Sequence, residues 1–282
     1  MKAELNDGAV SVIVTSPPYN LGKEYNRYND ARPREKFKEW MREVSSECHR
    51  VLARRGSFFL NVGNKPSDPG WPFEVLECFR DDFTLQNAIL WVKSIAIEFT
   101  DVGDYPNISG DLAVGHYKPV NSRRYVNGLS EHIFHLTKHG DVPLSKLAVG
   151  VPYQDKSNVE RWGTAESDLR DRGNVWFIPY DTIRSRRAHP CVFPIKLPQM
   201  CIRLHGVEKT RLVMDPFLGT GTTAVACERL GVDCIGFDID PSYTRMARHA
   251  IAVERRNVRE SGKRSEGSAE RPWERLDPWN EG

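Results

Sequence analysis

The segment VMDPFLGTGTTAVACERLGVDCIGFDID, residues 213–240, constrains the fold of this chain more than any other stretch. An apolar strand ends at Asp215, a loop with Gly219 and Gly221 follows, and a helix begins at once before the next strand. Such a loop brings backbone close to a ligand at a helix N-terminus. Strand and helix signals alternate at both ends of the chain, which predicts an α/β fold with a largely parallel sheet.

The other elements follow from hydrophobic periodicity. The β-branched run SVIVT predicts a buried strand at Ala9–Thr15, and an apolar helical face predicts a crossover helix from about Arg34 that Gly56 caps. Further strands are predicted at residues 57–63, 85–92, 130–138, 211–215 and 233–240. Further helices are predicted at residues 71–82, 222–230 and 243–256, and one that ends near Leu204 and starts at Pro194 or Pro198.

Changes in composition divide the chain, whose 282 residues predict one principal domain, into four stretches. Residues 1–138 and 191–256 carry the regular alternation and are predicted to be two halves of that domain. Between them, residues 139–190 are polar and rich in Arg, Asp and Gly, which favours a small inserted recognition region rather than sheet core. Residues 257–282 are charged and poor in aliphatic side chains, so we expect a disordered tail.

Charge and cysteine content exclude several classes of protein. A net charge of +2 with a pI near 8.2 is too weak to argue nucleic-acid binding by itself. The six cysteines are scattered, with no CxxC and no histidine cluster beside them, so neither a metal site nor a disulfide framework is expected. There is no basic leader and no apolar stretch of about 18 residues. We therefore expect a cytoplasmic protein without a membrane partner.

The glycine loop and the acid after the next strand indicate a nucleoside cofactor. Asp238 follows the glycines by about twenty residues, where a carboxylate can hold the two hydroxyls of a ribose. The loop has Ala224 where a dinucleotide fingerprint has its third glycine, and Asp215 at the strand end suits a ligand that carries an ammonium. S-adenosylmethionine has this character, although the loop alone also fits a tight turn that binds nothing.

The motif TSPPYN stops the first strand at the edge where open α/β sheets bind ligands. Pro17 and Pro18 fix φ and donate no hydrogen bond, which leaves the Pro17 carbonyl rigid and free. Ser16 offers a hydroxyl acceptor, and Tyr19 offers a ring on which a base can stack. SPPY alone fits an ordinary proline turn. Together with the glycine loop, it favours methylation of an exocyclic amine on a nucleobase, because two acceptors can direct the nitrogen lone pair at the methyl group.

These segments resemble the DNA amino-methyltransferases that use S-adenosylmethionine. TSPPYN is similar to their (S/N/D)PP(Y/F) catalytic motif, and DPFLGTGTT with GFDIDPSY is similar to their cofactor motifs. HPCVFPIKLPQMCIRL resembles the segment that completes the methionine-end pocket, and SEHIFHLTK resembles a strand motif. The catalytic motif comes first, as in the β group. From about Val10 to Arg256, the resemblance implies a Rossmann-like methyltransferase fold, a flipped target base and residues 139–190 as the target-recognition region.

The motifs and the resemblance together assign the site. The expected catalytic residues are Ser16, Pro17, Pro18 and Tyr19. The residues expected at the cofactor are Pro194, Asp215, Phe217, Gly219, Thr220, Gly221, Thr222 and Asp238.

The residue ahead of PPY bears on the target base. Within the family, serine usually accompanies N4-cytosine methylation and aspartate usually accompanies N6-adenine methylation, so Ser16 favours cytosine and leaves adenine as the alternative. An RNA methyltransferase or a non-catalytic nucleic-acid-binding module are further alternatives, but a binding module needs neither an intact TSPPY nor an intact glycine loop. The loop pattern disfavours a dehydrogenase.

Flipping a base costs a few kcal/mol, so contacts with the DNA backbone must offset it. The basic residues expected to contribute are Lys23, Arg27, Arg123, Arg124, Arg184, Arg186 and Arg187. Asn61 and Asn64 follow another strand and fit either the pocket or an ordinary turn. Double-stranded DNA is the expected partner, and a cognate restriction nuclease of the same system is a second. No motif specifies the recognition sequence or the oligomeric state, for which a dimer stays open.

Overall fold

The computed structural model describes residues 4–23, 25, 27–102, 108–115, 122–157, 159, 168–180 and 193–265, with side chains as far as Glu260. The strands are β1 (Val10–Thr15), β2 (Leu52–Val62), β3 (Thr84–Val92), β4 (Ile95–Ile97), β5 (Leu112–Val114), β6 (Ser130–Thr137), β7 (Val151–Pro152), β8 (Leu169–Arg170), β9 (Val175–Phe177), β10 (Leu212–Asp215) and β11 (Asp233–Gly236). The helices are α1 (Arg34–Val51), α2 (Trp71–Glu77), α3 (Phe99–Val102), α4 (Lys196–His205), α5 (Thr222–Leu230) and α6 (Pro241–Ser265). None of the helices in these ranges is long and apolar enough to cross a membrane.

Seven strands form one sheet in the order β11-β10-β1-β2-β6-β3-β9. The strands β11, β10, β1 and β2 run parallel, β6 is antiparallel to both β2 and β3, and β9 is parallel to β3. The predicted α/β fold with a mostly parallel sheet is confirmed. The carboxyl ends of β1, β10 and β11 meet at one edge, which is where open parallel sheets bind ligands.

Each face of the sheet carries its own apolar layer. Ile13 of β1 packs into the layer that holds α1 and α2, with Phe37 and Met41 among its buried members. Val12 and Val14 face the opposite layer, which α4 covers. Successive side chains of a strand point to opposite faces, so a strand buried on both faces carries a continuous apolar run, as Val12–Val14 do.

The boundary between α1 and β2 differs from the prediction, because β2 begins at Leu52 and Gly56 lies inside the strand instead of capping α1. The helix predicted at 71–82 ends at Glu77, and the strand predicted at 233–240 ends at Gly236. A Cβ at Gly56 would lie 2.6 Å from Leu52 Cδ1 and 2.9 Å from the carbonyl oxygen of Ser11. The register between β1 and β2 also shifts between Val10 and Val12. Glycine therefore permits a close approach of two strands at an irregularity, a requirement that the helical pattern of the sequence does not show.

The expectation that residues 139–190 stay out of the sheet core is wrong for their apolar run. Val175–Phe177 form β9 at the edge of the main sheet, and Trp176 and Ile178 are buried on the α4 side. Trp91 Nε1 donates a hydrogen bond to the Ile178 carbonyl at 2.8 Å. A strand this short gives too little periodicity to be recognised among polar neighbours.

The last helix is longer than predicted. α6 continues to Ser265, so the expectation of disorder is wrong for residues 257–265, and the rest of that tail lies outside the described residues. Arg229 of α5 makes a two-pronged ion pair with Glu254 of α6, with distances of 2.8 and 3.1 Å. Once a helix is nucleated by packing, each added residue gains a hydrogen bond at little cost, so a polar sequence can continue it.

Candidate active site

A cavity of about 310 Å³ opens at the sheet edge where β1, β10 and β11 end. Its volume lies near the lower end of the range of about 300–1,000 Å³ that is typical of ligand pockets. The TSPPYN segment, which the sequence predicts to be catalytic, forms one wall and the glycine loop forms the facing wall. The predicted residues that line it are Ser16, Pro17, Pro18, Tyr19, Arg27, Asp215, Phe217, Gly219, Thr220, Thr222 and Asp238.

A second hollow, of about 670 Å³, lies on the outer side of the glycine loop. It is open to solvent, and Val225 of α5 and Met246 of α6 form part of its floor. Ser16 and Asp238, the two groups expected to meet an amine and a ribose, line the smaller cavity instead. The smaller and more enclosed cavity is therefore the candidate site.

The glycine loop is fastened to the chain that follows β11. The Gly219 amide donates to Asp238 Oδ2 at 2.8 Å. Gly221 has a φ of 93°, and a Cβ there would lie 2.7 Å from the Cβ of Ala247 in α6. Conformation and packing therefore both require glycine at 221. Gly221 does not line the cavity, and its position supports helix packing, while its contact with the cofactor stays a prediction.

Asp215 holds the loop from inside the protein. Its carboxylate accepts hydrogen bonds from the hydroxyls of Thr15 and Thr223, each at 2.6 Å, and from the Phe217 amide at 3.0 Å. Burial raises the pKa of Asp215 to about 6, against the lowering effect of these three donors. Most of the acceptor capacity of this carboxylate is thus used within the protein. The contact with a ligand ammonium stays a prediction.

The catalytic motif is clamped beside the cavity. Trp71 Nε1 donates to the Tyr19 carbonyl at 2.6 Å, and the hydroxyl oxygens of Ser16 and Tyr19 lie 2.6 Å apart. A Cβ at Gly63 would lie 2.8 Å from Tyr19 Cε2, so the ring packs directly on the backbone there. The tyrosine ring is therefore fixed at its hydroxyl end, at its edge and at its backbone.

Two side chains that the sequence analysis missed close the loop after the motif. Asp30 is buried, and its carboxylate accepts from the amides of Asn20, Leu21 and Lys23 at 2.8 to 3.0 Å. Asn20 has a φ of 56°, and its side chain exchanges hydrogen bonds of 2.8 and 2.9 Å with the backbone of Arg32. Asn and Asp side chains readily form hydrogen bonds with nearby backbone, so these residue types were the sequence signal for a closed loop.

Aromatic rings form the outer wall of the cavity. The ring centroids of Tyr28 and Trp40 lie 5.4 Å apart, and the Arg32 guanidinium lies over both rings at 4.8 and 4.9 Å. Trp40 also meets Phe217 edge-on at 5.5 Å. The Tyr28 hydroxyl is buried and has no hydrogen-bond partner among the described residues, and burial raises its pKa to about 12. Such a wall suits a flat heterocycle with a hydrogen-bonding edge.

A polar cluster behind Tyr19 joins β2, β6 and the end of β3. The Tyr19 hydroxyl donates to Glu131 Oε2 at 2.9 Å and accepts from Asn61 Nδ2 at 2.7 Å. Asn61 Nδ2 also donates to Glu131 Oε2 at 2.8 Å, and Lys93 Nζ lies 3.0 Å from Glu131 Oε1. Burial, and next the charge of Glu131, raise the pKa of Tyr19 well above its ordinary value, so its hydroxyl keeps the proton.

The sequence analysis named Asn61 but missed Glu131 and Lys93. Glu131 lies in SEHIFHLTK, which was recognised only as a strand motif, and Lys93 directly follows β3. Asn64 is half-buried, and its side chain donates to the Lys65 carbonyl, which agrees with the turn alternative. From the segment ahead of α4, Phe193 lines the cavity and Pro194 does not.

The predicted DNA-contacting residues are only partly described. Arg27 lines the cavity, and Lys23 is exposed in the same loop. Arg123 and Arg124 are exposed ahead of β6, away from the cavity lining. Three further candidates lie outside the described residues, namely Arg184, Arg186 and Arg187.

Comparison with known proteins shows which protein family this chain matches. The family model for DNA methylase matches residues 10–249. The Type II methyltransferase M.BglII from Bacillus subtilis is 26% identical over 273 residues, which cover 90% of this chain and 67% of that protein. The DNA adenine methyltransferase YhdJ from Escherichia coli (strain K12) is 27% identical over 247 residues, which cover 87% of this chain and 77% of that protein.

Solved structures share the fold. The PvuII DNA methyltransferase (cytosine-N4-specific) superposes with a TM-score of 0.61 at 17% identity, over 91% of this chain and 88% of that chain. A putative DNA modification methylase from Thermus thermophilus, complexed with S-adenosyl-L-methionine, superposes with a TM-score of 0.53 at 22% identity, over 89% of each chain. The architecture is thus that of S-adenosylmethionine-dependent methyltransferases.

Proposed function

The chain belongs to the DNA methylase family as an S-adenosylmethionine-dependent DNA amino-methyltransferase, and we propose that it methylates the N4 amine of cytosine within a short duplex sequence. The observation that carries the choice of base is the Ser16 hydroxyl, which stands beside the cofactor loop in one cavity. Within the family, serine at this position usually accompanies N4-cytosine methylation.

The residues of the cavity fit S-adenosylmethionine. Asp238 accepts the Gly219 amide on one oxygen and the Asp240 amide on the other, each at 2.8 Å, so both oxygens retain acceptor capacity for a ribose hydroxyl. Ile239 is apolar yet 70% exposed at the cavity wall, where an adenine ring would cover it. The unpartnered Tyr28 hydroxyl offers a further hydrogen bond. When bound, S-adenosylmethionine supplies an electrophilic methyl group on a positively charged sulfur.

The catalytic motif acts on the amine of the target base. This nitrogen is a weak nucleophile because its lone pair is delocalised into the ring. The Ser16 oxygen and the Pro17 carbonyl accept one N–H each, which favours a pyramidal nitrogen whose lone pair points at the methyl group. The proton that the nitrogen must lose becomes acidic once the new N–C bond replaces the bond between the methyl group and sulfur, whose electron pair stays on sulfur. The proton therefore leaves to solvent and no strong base is needed. The Tyr19 ring stacks on the base and holds it in this orientation.

DNA recognition uses the surface around this cavity. A base inside a duplex cannot reach Ser16, so it must be flipped out at a cost of a few kcal/mol. Arg27 at the cavity wall and the exposed Lys23 in the same loop are proposed to contact phosphates, with the exposed Arg123 and Arg124 as further phosphate contacts. Residues 139–190 are proposed as the target-recognition region, although part of them builds the sheet edge. A cognate restriction nuclease is proposed as the partner in the same system.

Methylation of the N6 amine of adenine is the second candidate. The Escherichia coli relative is named as a DNA adenine methyltransferase, and the same two acceptors serve either amine. The choice depends on the shape of the base pocket as well as on Ser16.

Product identification tests the proposal. The protein is incubated with S-adenosylmethionine and unmethylated genomic DNA, the DNA is digested to nucleosides, and the modified nucleoside is identified by mass spectrometry. We expect N4-methylcytosine from the wild type and a much smaller, still measurable amount from Ser16→Ala. N6-methyladenine would retain the mechanism and refute cytosine as the target. No methylated nucleoside from DNA, with cofactor binding intact in calorimetry, would overturn the proposal, and a parallel reaction on RNA would test that alternative substrate.

A further inference from the structure

We propose that Glu131 is a positioning residue that acts through the Tyr19 hydroxyl to turn the proton of Ser16 away from the target amine. This inference rests on the proposed amine methylation at Ser16. Three linked contacts carry it: Glu131 to Tyr19 at 2.9 Å, Tyr19 to Ser16 at 2.6 Å, and Lys93 to the far oxygen of Glu131 at 3.0 Å.

The donors and acceptors of these linked side chains allow one set of hydrogen-bond directions. The Glu131 carboxylate, paired with Lys93, accepts hydrogen bonds and donates none. Asn61 Nδ2 donates to both Glu131 and Tyr19, so it cannot accept the tyrosine proton. The single proton of Tyr19 therefore goes to Glu131. The close contact between Tyr19 and Ser16 then needs the proton of Ser16, whose remaining lone pairs are left for the cavity.

The methyl transfer requires that the Ser16 hydroxyl present a lone pair, and not its proton, to the amine. An amine N–H is a donor, so the group that receives it must present a lone pair. A serine hydroxyl rotates freely and can present either its proton or a lone pair, whereas an ionised aspartate at the same position presents acceptors only. Serine therefore needs an orienting partner that aspartate does not need, and the Tyr19 hydroxyl is placed to be that partner.

The cluster is rigid enough to impose this orientation. Glu131 is 8% exposed and Asn61 is 1% exposed, so water does not compete freely for their hydrogen bonds. A Cβ at Gly63 would lie 2.8 Å from Tyr19 Cε2 and 3.1 Å from Glu131 Cδ, which shows how closely the two side chains pack over that glycine. Charge-assisted hydrogen bonds are also shorter and stronger than neutral ones.

Glu131→Gln tests the inference with almost no change of shape. The amide oxygen of the new glutamine keeps the contact with Lys93, so the glutamine NH₂ group faces Tyr19 and donates to it. The NH₂ group also faces Asn61 Nδ2, which loses its acceptor, and the Tyr19 hydroxyl no longer has a carboxylate to donate to. The Tyr19 hydroxyl then donates its hydrogen bond to Ser16, whose own proton turns towards the amine. We expect kcat to fall about ten- to a hundredfold, as for the loss of a hydrogen bond to a charged group, with unchanged KM for DNA and S-adenosylmethionine.

Tyr19→Phe supplies the second variant, because it retains the stacking ring and removes the hydroxyl. It should lower kcat by a similar factor, and the double variant with Glu131→Gln should be no worse than the more affected single variant. In a Ser16→Ala background, Glu131→Gln should add little further loss. Such non-additivity is the signature of residues that act through one another.

The matched control is Glu254→Gln, the same substitution at a partly buried ion pair with Arg229 far from the cavity. It should leave kcat unchanged, and thermal unfolding of every variant shows whether folding is intact. Full activity of Glu131→Gln, or independent losses in the double variants, would overturn the inference. A wild type that methylates no DNA amine would instead overturn the proposed function.

Discussion

Two polar clusters lie on the same pair of antiparallel strands, β2 and β6, and the sheet uses them differently. At one end, Asn61 and Glu131 support Tyr19 at the wall of the cavity. Further along both strands, Ser57 lies between His135 at 3.0 Å and His205 at 2.9 Å, fully buried. The first cluster ends at Ser16, which lines the cavity, whereas the second is closed within the core.

The two clusters differ in which groups receive the hydrogen bonds of their polar side chains. Asn87 occupies the other ring nitrogen of His135 at 2.9 Å, and burial lowers the pKa of His135 to about 3 and of His205 to about 4, so both rings are neutral. A closed cluster of this kind stabilises the fold and offers nothing to a ligand. The open cluster joins Asn61, Glu131 and Tyr19 by hydrogen bonds, although the buried Asn61 Oδ1 has no partner among the described residues, and it directs the remaining lone pairs of Ser16 outward. Variants in the two clusters should therefore separate stability from activity.

The largest effect is expected from Tyr19→Ala. Loss of the ring removes base stacking, and loss of the hydroxyl lets the Ser16 hydroxyl rotate and present its proton. We therefore expect kcat/KM for DNA to fall about a hundredfold or more. Affinity for S-adenosylmethionine in calorimetry should change little. An equal loss of cofactor affinity would contradict the division between base capture and cofactor binding.

Ser57→Ala should act on stability alone. It leaves ring nitrogens of His135 and His205 buried without their shared partner, which costs about 2–3 kcal/mol of unfolding free energy. The measurement is urea unfolding, with methyl transfer assayed at a temperature where the variant is folded. Reduced kcat in the folded variant would mean that the closed cluster also serves the site.

Acid should destabilise the wild type through the closed cluster. Each histidine has a folded pKa below its ordinary value of 6.5, so its contribution to stability is present above pH 6.5 and is lost as the pH falls towards 4 and 3. Asp215, with its pKa raised to about 6, opposes this and regains stability as the pH falls below 6. Because the two histidines outweigh Asp215, we expect the unfolding free energy to fall by about 2 kcal/mol between pH 7 and pH 5.

Urea unfolding of the wild type at both pH values checks this expectation. The variant His135→Asn retains a hydrogen-bonding side chain but no longer titrates, so its unfolding free energy should depend less steeply on pH. A wild type that is as stable at pH 5 as at pH 7 would show that the histidines can charge without unfolding.

Asp238→Ala should have the smallest effect and should act on the cofactor. Removal of the carboxylate that also receives the Gly219 amide should weaken S-adenosylmethionine binding about tenfold in calorimetry. Unchanged affinity for DNA at saturating cofactor is the accompanying control. Retained cofactor affinity would exclude Asp238 as the ribose ligand.

Local patterns predicted most of the fold. The strand that ends at Asp215 and the helix Thr222–Leu230 lie where the sequence places them, since apolar periodicity and a glycine loop are local signals. The short strand Val175–Phe177 was missed because three residues in a polar stretch carry no period. Gly56 was misassigned because the close approach of Leu52 and of Ser11 in the neighbouring strand β1 appears only in the folded structure.

The sequence by itself determined the α/β order, the cofactor loop and the catalytic motif, because each of these is written in consecutive residues. Only the tertiary structure decided that Glu131, Lys93 and Asn61 stand behind Tyr19, and that Asp30 and Asn20 close the loop over the cavity. Glu131, Lys93 and Asn61 come from strands distant in sequence from Tyr19, and their hydrogen bonds, like those of the nearer Asp30 and Asn20, depend on distances and angles that no spacing of residues specifies. The same geometry decides which polar cluster faces a ligand and which faces the core.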